Sequence, residues 1–273
     1  MSAAPPLTYR TSAVALLAVV GFLGCGAVFG ITELTSDAPG DGGPLGDGGI
    51  DASSWCSAQA PDATFCDDFG GPSLREGWSS VEASGAGGAG TLDKNVFLSA
   101  PSAFTARAQS SDKGYAQRCL KKTFVGGPAG VVVGIDARID VLEADNAASN
   151  MTIVNVSFAG TGQEHPYALD VNLQADGLHL LEELSSGTVT DHPLRYTPTK
   201  ETWMRIELDF HRAAPAAAPT ASVKINGQSP VDPIVVSDAK ASGSPTVRVG
   251  IPYVLGSSAQ RFAHVDNVAV YLR

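Results

Sequence analysis

The strictest alternation of apolar and polar side chains lies in residues 202–210. One parity carries the apolar side chains of Met204, Ile206, Leu208 and Phe210. The other parity carries Trp203, Arg205, Glu207 and Asp209. Because successive side chains of a strand point to opposite sides of its sheet, this pattern predicts a β-strand with one buried face.

Segments of similar character follow one another along the chain. They span residues 96–98, 103–108, 116–124, 131–141, 151–158, 167–174, 178–184, 222–225, 234–236, 247–251 and 262–272. Asn226-Gly227 gives a hairpin signal, because both residues tolerate the positive φ angles of a tight turn. Many short strands separated by turns predict an all-β fold, an antiparallel two-sheet jelly-roll sandwich.

A hydrophobic helix is predicted before this sandwich. Residues 13–31 carry no charge, and a run of about 20 apolar residues crosses a bilayer. Cys25 follows Phe22-Leu23-Gly24, which resembles a bacterial lipobox, although Phe22 stands where leucine is usual. Residues 1–31 are therefore a signal peptide or membrane anchor with three alternatives: an uncleaved signal anchor, a lipoprotein lipidated at Cys25, or a cleaved export signal. Each alternative places the rest of the chain outside the cytoplasm, in the cell envelope.

Composition divides the remaining chain into a linker and one domain. Gly, Asp and Pro dominate residues 32–54, which predicts a flexible, disordered linker and leaves residues 55–273 as the domain. Hydrophobic residues make up 44% of the 273, enough for a packed core. The formal net charge of −10 opposes binding to nucleic acid and to anionic membrane surfaces. It is compatible with neutral glycans, cationic partners or divalent cations.

Three cysteines lie outside the hydrophobic segment. Cys56 and Cys66 are ten positions apart, and oxidising surroundings outside the cytoplasm favour a disulfide between them. Cys119 is left over in this pairing. It is either a buried free thiol or the true partner of one of the other two cysteines.

Three groups of residues between positions 55 and 273 resemble a known family. They are Phe65-Cys66-Asp67-Asp68-Phe69 with Trp78, Thr202-Trp203 followed by Val223-Lys224-Ile225-Asn226-Gly227, and Asp266-Asn267-Val268-Ala269-Val270. In this order they are similar to the concanavalin A-like lectin/glucanase (LamG-like) jelly-roll domains of exported bacterial proteins. The resemblance implies two curved antiparallel sheets in which the first and last strands are neighbours. The family includes lectins, adhesion modules and glycosidases, so the fold does not give the function.

The glucanase members of that family carry E-x-D-x-x-E on one strand. Glu207 and Asp209 match its first two positions, but Arg212 stands at the third, so the proton donor is lacking and the enzyme motif is incomplete. Trp203, Glu207 and Asp209 are therefore predicted to bind a ligand without catalysis. The alternative is that these outward polar side chains pair across strands.

Asp68 and Asp266 are candidate metal ligands. If the terminal strands pair, their carboxylates come close enough to hold a structural calcium ion together with backbone carbonyls, as in related jelly rolls. In the alternative, Asp266 caps the turn before the last strand and Asp68 faces solvent. The five histidines show no metal-binding spacing.

The sequence predicts a cell-envelope-anchored β-sandwich that binds a carbohydrate or another surface ligand without catalysis. One alternative is a polysaccharide-degrading glycosidase or lyase, and another is a structural or adhesive surface module. Aromatic side chains on the concave sheet favour binding. Two carboxyl groups with a raised pKa favour an enzyme, and a featureless sheet favours the structural role.

Overall fold

The computed structural model describes residues 54–86, 90–110, 114–140, 150–159, 165–212, 218–236, 243–255 and 260–273. The predicted hydrophobic helix with Cys25 and the linker up to residue 53 lie outside these residues. Within the described ranges, no helix combines the length and the apolar character needed to cross a bilayer.

These ranges contain one short helix, α1 (Trp55–Gln59), followed by strands. The strands are β1 (Phe65–Asp67), β2 (Ser80–Ser84), β3 (Thr91–Asp93), β4 (Ala103–Ala108), β5 (Tyr115–Thr123), β6 (Gly130–Ile139), β7 (Asn150–Ala159), β8 (Tyr167–Gln174), β9 (Gly177–Glu183), β10 (Val189–Pro193), β11 (Trp203–His211), β12 (Thr220–Ile225), β13 (Ile234–Val235), β14 (Ser244–Leu255) and β15 (Arg261–Leu272).

The strands form two antiparallel sheets, which confirms the predicted sandwich. The eight-stranded sheet has the order β13-β12-β11-β6-β15-β4-β3, and β1 also pairs with β15. The seven-stranded sheet has the order β10-β9-β8-β7-β14-β5-β2. The first and last strands are neighbours, since Asp67 lies opposite Val268 in the register of β1 and β15.

The core lies between the inner faces of the two sheets. All four apolar side chains of the alternating strand β11 are buried, which agrees with its sequence pattern. Phe210 of β11 meets Phe158 of the opposite sheet at a ring-centroid distance of 4.8 Å, and Tyr167 lies 6.2 Å from Phe210. Burial of this apolar surface is the main driving force for packing the sheets together.

Some boundaries differ from the sequence prediction. Residues 96–98 form a loop instead of the expected strand, because the N–H of Val96 donates to Asp93 and that of Leu98 donates to Asp266. Strands β2, β3 and β10 lie outside the segments predicted to be strands. The Asn226-Gly227 turn is confirmed, with φ angles of 52° and 78°.

The predicted disulfide between Cys56 and Cys66 is present and joins α1 to β1. Cys119 is a free, buried thiol on β5. Its outward side chain lies 3.8 Å from a carboxylate oxygen of Glu82. Burial raises the pKa of this thiol far above its ordinary value, which keeps it protonated and unreactive.

Candidate functional site

The three residues predicted to bind ligand lie on the outer face of the eight-stranded sheet. Glu207 accepts a hydrogen bond from Lys224 on β12 at 2.6 Å, and Asp209 lies 3.5 Å from the guanidinium of Arg273. The ring of Trp203 meets that of His264 edge-on. These are the cross-strand contacts expected under the alternative interpretation. Ligand binding at Trp203, Glu207 and Asp209 stays a prediction.

Asp266 is fully buried on β15 and accepts hydrogen bonds on both carboxylate oxygens. Its Oδ2 accepts the backbone N–H groups of Leu98 and Ser99, each at 2.9 Å. Its Oδ1 accepts the N–H of Asn267 at 2.8 Å and the hydroxyl of Ser99 at 3.1 Å. Desolvation by burial raises the pKa of Asp266 to about 6 although these donors oppose the shift. The carboxylate thus anchors the loop that follows β3.

Four donors therefore point at the oxygens that a calcium ion would have to coordinate. Asp68 likewise accepts the N–H groups of Cys56 and Gly70, each at 3.3 Å. The described part of the chain contains no group of three or more side chains suited to a metal ion. The hydrogen bonds at Asp266 do not fit the predicted role of calcium ligand, because calcium binds to oxygen lone pairs that N–H donors leave free.

The outer face of the seven-stranded sheet has a different character. Asp170, Asn155, Arg248 and Lys121 lie directly opposite one another across β8, β7, β14 and β5, in a row perpendicular to the strands. These side chains occupy the outward parity of their strands, opposite in direction to the core residues between them. Glu82 on the edge strand β2 lies diagonally beside Lys121 and extends the row to a fifth strand.

Hydrogen bonds between side chains link this row from end to end. Glu82 accepts Lys121 Nζ on Oε1 and Arg248 Nε on Oε2, each at 2.9 Å. Arg248 Nη1 donates to Asn155 Oδ1 at 3.0 Å, and Asn155 Nδ2 donates to Asp170 Oδ1 at 2.7 Å. We call these five residues the cross-strand polar row. Because all five are half-buried, their polar groups are screened by water less than fully exposed ones.

Two further groups flank the row. On one side, Tyr253 of β14 follows a bulge in the register and stacks on Tyr115 at a centroid distance of 5.9 Å and an interplanar angle of 17°. On the other side, Ser157 Oγ accepts a hydrogen bond from Arg248 Nη1 at 3.1 Å, and Glu183 lies at the end of β9. The row is thus bordered by an aromatic pair and by a second carboxyl group.

The acids of this face differ in their tendency to ionise. Desolvation by burial raises the pKa of Asp170 to about 7 from its ordinary 3.8; the hydrogen bond from Asn155 opposes the shift, and the charge of Glu183 adds to it. Burial also raises the pKa of Glu183. Burial would raise the pKa of Glu82 too, but Arg248 and Lys121 lower it below its ordinary value. Glu82 is therefore ionised at neutral pH, whereas Asp170 is only partly so.

Sequence reasoning identified little of this face. Of the adjacent Glu182 and Glu183, Glu182 points inward and accepts the hydroxyl of Tyr167, while Glu183 belongs to the outer face. The five residues of the cross-strand polar row occupy outward-facing positions on five separate strands. Only the strand order and register show that they meet.

No protein-family model and no curated protein matches the chain. Among solved structures, it is similar to an endo-β-1,4-glucuronan lyase from the fungus Trichoderma reesei, with a TM-score of 0.60 and 16% sequence identity over 77% of this chain and 96% of the lyase. It is also similar to the alginate lyase vAL-1 from Chlorella virus, with a TM-score of 0.53 and 11% identity over 72% of this chain and 94% of that one. At these identities the similarity establishes a shared β-sandwich fold.

Proposed function

We propose that the outer face of the seven-stranded sheet binds a carbohydrate. The observation that carries the proposal is the cross-strand polar row beside the stacked pair of Tyr115 and Tyr253. Sugar hydroxyls pair with planar polar groups such as guanidinium, amide and carboxylate, and the apolar faces of sugar rings stack on aromatic rings. The two lyases of similar fold act on polysaccharides, as their names state, which supports the proposal.

The proposal includes display of this domain at the cell envelope, outside the cytoplasm. The disulfide between Cys56 and Cys66 supports it, because disulfides persist in oxidising compartments. Attachment to a membrane through residues 1–31 stays a prediction.

A truncation of the aromatic pair tests the binding face. The exposed fractions of Tyr115 and Phe97 are 37% and 38%, so the two rings can be removed as a matched pair. We expect Tyr115→Ala in the full-length chain, purified in mild detergent, to weaken binding to a glycan array by roughly fivefold, since stacking contributes about 1 kcal/mol. Phe97 lies outside this face, so we expect Phe97→Ala to leave glycan binding unchanged. Equal loss in both variants, or no glycan bound by the unmodified chain, would favour a structural or adhesive role.

Hydrolysis of the bound glycan is a second candidate function. Asp170 and Glu183 lie on neighbouring strands in diagonal register, a placement that separates Cα atoms by about 7–8 Å. Both have a raised pKa, as a general acid requires at neutral pH. In glycoside hydrolysis, one carboxyl group protonates the leaving oxygen while the other activates water or attacks the anomeric carbon.

Product analysis distinguishes the catalytic alternatives from simple binding. Hydrolysis releases new reducing ends from a bound polysaccharide, and Asp170→Asn and Glu183→Gln would each abolish that release while the glycan is still retained. Elimination would instead give an unsaturated, ultraviolet-absorbing uronate, which indicates a lyase. Binding without either product supports the non-catalytic function.

A further inference from the structure

Among the residues of the cross-strand polar row, Glu82 has the most direct effect on the net charge of the row. Lys121 and Arg248 are the two cations of the row, and each contacts a different oxygen of the Glu82 carboxylate at 2.9 Å. The Glu82 carboxylate is about one-fifth exposed, so the contacts are only partly screened by water. Glu82 thus occupies the donors with which a protein ordinarily binds a carboxylate of its ligand.

Two further carboxyl groups of the face add negative charge in their ionised forms. Asp170 and Glu183 lie on the far side of Arg248, and the whole chain carries a formal charge of −10. A glycan with a carboxylate on each sugar would therefore meet two cations that are already neutralised in part, among three acids. A glycan with hydroxyl groups alone would meet hydrogen-bond donors and acceptors without that repulsion.

We propose that Glu82 makes this face selective for uncharged glycans over acidic ones. This inference rests on the proposed carbohydrate-binding function and assigns a ligand class to it. Glu82 acts in two ways: it binds the donors that an acidic sugar needs, and it repels the carboxylate of such a sugar. Selectivity of this kind comes from a repulsive group as much as from attractive contacts.

A purely positioning role for Glu82 makes a different prediction. If Glu82 only holds Arg248 and Lys121 in place, its removal should weaken binding to every glycan in the same proportion. If Glu82 excludes acidic ligands, its removal should change the ratio of the affinities for acidic and neutral glycans. The ratio of the two affinities is therefore the quantity to measure.

The test uses two polymers with the same backbone and linkages, one charged and one neutral. One is a linear polyuronate, and the other is the same polymer after its carboxyl groups are reduced to primary alcohols. We expect the full-length chain in mild detergent at about 50 mM salt, where charge effects are weakly screened, to bind the reduced polymer at least tenfold more tightly. Glu82→Gln keeps the side-chain shape, and we expect it to raise the acidic-to-neutral affinity ratio roughly tenfold.

Glu201→Gln is the matched control. Its carboxylate is exposed and lies 3.8 Å from the ammonium group of Lys200. Glu201 comes just before β11, which is a strand of the eight-stranded sheet and not of the sheet that carries the polar row. The variant makes the same chemical change and the same change in net charge, so an effect of overall charge would appear in both variants. We expect Glu201→Gln to leave the affinity ratio as it is in the unmodified chain.

Each outcome bears on a distinct claim. Tighter binding of the polyuronate by the unmodified chain would overturn the inference while carbohydrate binding stands. An unchanged ratio in a folded Glu82→Gln variant, with both affinities reduced, would also overturn it and indicate a positioning role. Binding of neither polymer nor any other glycan would refute the proposed function itself. If Glu82→Gln fails to fold, the comparison of the two polymers on the unmodified chain still tests the selectivity of the face, and tighter binding of the polyuronate still overturns the inference.

Discussion

Replacement of Asp170 by asparagine tests the electrostatics of the polar row directly. The substitution preserves size and keeps an oxygen that accepts the hydrogen bond from Asn155 Nδ2, now 2.7 Å long. It removes the capacity to ionise and replaces the second carboxylate oxygen by an amide nitrogen. The variant therefore separates the burial of a charge from the packing and hydrogen bonding of the same side chain.

The expected size follows from the pKa of Asp170. The pKa is 3.8 in an ordinary environment and about 7 in the folded chain, chiefly because burial disfavours the charged form. Between these values the unfolded chain has released its proton while the folded chain still holds it, so the free energy of unfolding falls as the pH rises. A shift of about 3 pKa units corresponds to about 4 kcal/mol. Because the side chain keeps some contact with water, we expect about 2–3 kcal/mol.

Urea unfolding at about pH 5 and about pH 8 measures this contribution, since charge linkage appears as a pH-dependent stability. We expect Asp170→Asn to be more stable than the unmodified chain at the higher pH and to lose less stability as the pH rises. Asp93→Asn is the contrasting control: the backbone N–H of Asn95 and the side chain of His264 lower the pKa of Asp93 against the effect of desolvation. The charge of Asp93 stabilises the fold at pH values above the ordinary pKa. Its removal in Asp93→Asn should therefore lower the free energy of unfolding, which is the opposite of the effect expected for Asp170→Asn. Identical pH dependence in the unmodified chain and Asp170→Asn would refute the reasoning.

Three further substitutions test the fold by urea unfolding. Replacing both Cys56 and Cys66 by serine should lower the free energy of unfolding by about 2–3 kcal/mol, since the bridge closes a loop over a sequence separation of 10; an unchanged stability would contradict this. Asp266→Asn should cost at least about 1–3 kcal/mol, because the amide nitrogen cannot accept the donors that one carboxylate oxygen now serves. Gly250→Ala should cost about 1–3 kcal/mol, since its φ is 112° and a Cβ would lie 2.6 Å from Phe104. A stability equal to that of the unmodified chain in either variant would argue against these contacts.

The sequence predicts the long strands because their signal is local. In β11 each apolar position from Met204 to Phe210 is buried and each polar one faces outward, as alternation alone requires. Strands β2, β3 and β10 are short, rich in small or polar residues and placed near sheet edges, so pairing decides their structure. The loop at residues 96–98 shows the converse: a short apolar run does not form a strand where acidic side chains bind its N–H groups.

The polar row could not be predicted in the same way. Its members extend from Glu82 to Arg248, and each is an unremarkable outward residue of its own strand. Their meeting depends on a strand order that brings β14 between β7 and β5, and on a register that aligns Asn155 with Arg248. By contrast, Glu207 and Asp209 attract attention because they share one strand, although their contacts are ion pairs with Lys224 and Arg273.

The two outer faces of the sandwich differ in what their polar groups bind. On the eight-stranded sheet, Asp266 accepts backbone N–H groups, and Arg205 donates to the carbonyl of Asn267 at 2.6 Å while its guanidinium lies 5.0 Å from the ring of Trp55. These contacts fix a loop and α1, so a ligand could replace them only by unfolding local structure.

On the seven-stranded sheet, the contacts of the row that run through Arg248 link side chains to side chains across strands whose backbone is already paired. If the hydroxyl groups of a glycan replaced these side-chain partners, the sheet would stay intact, because no backbone hydrogen bond has to break. Such an exchange also costs less than the loss of a buried hydrogen bond, since each polar group keeps a partner throughout. The contrast between Asp266 and Arg205 on one sheet and Arg248 on the other favours the seven-stranded face as the proposed binding surface.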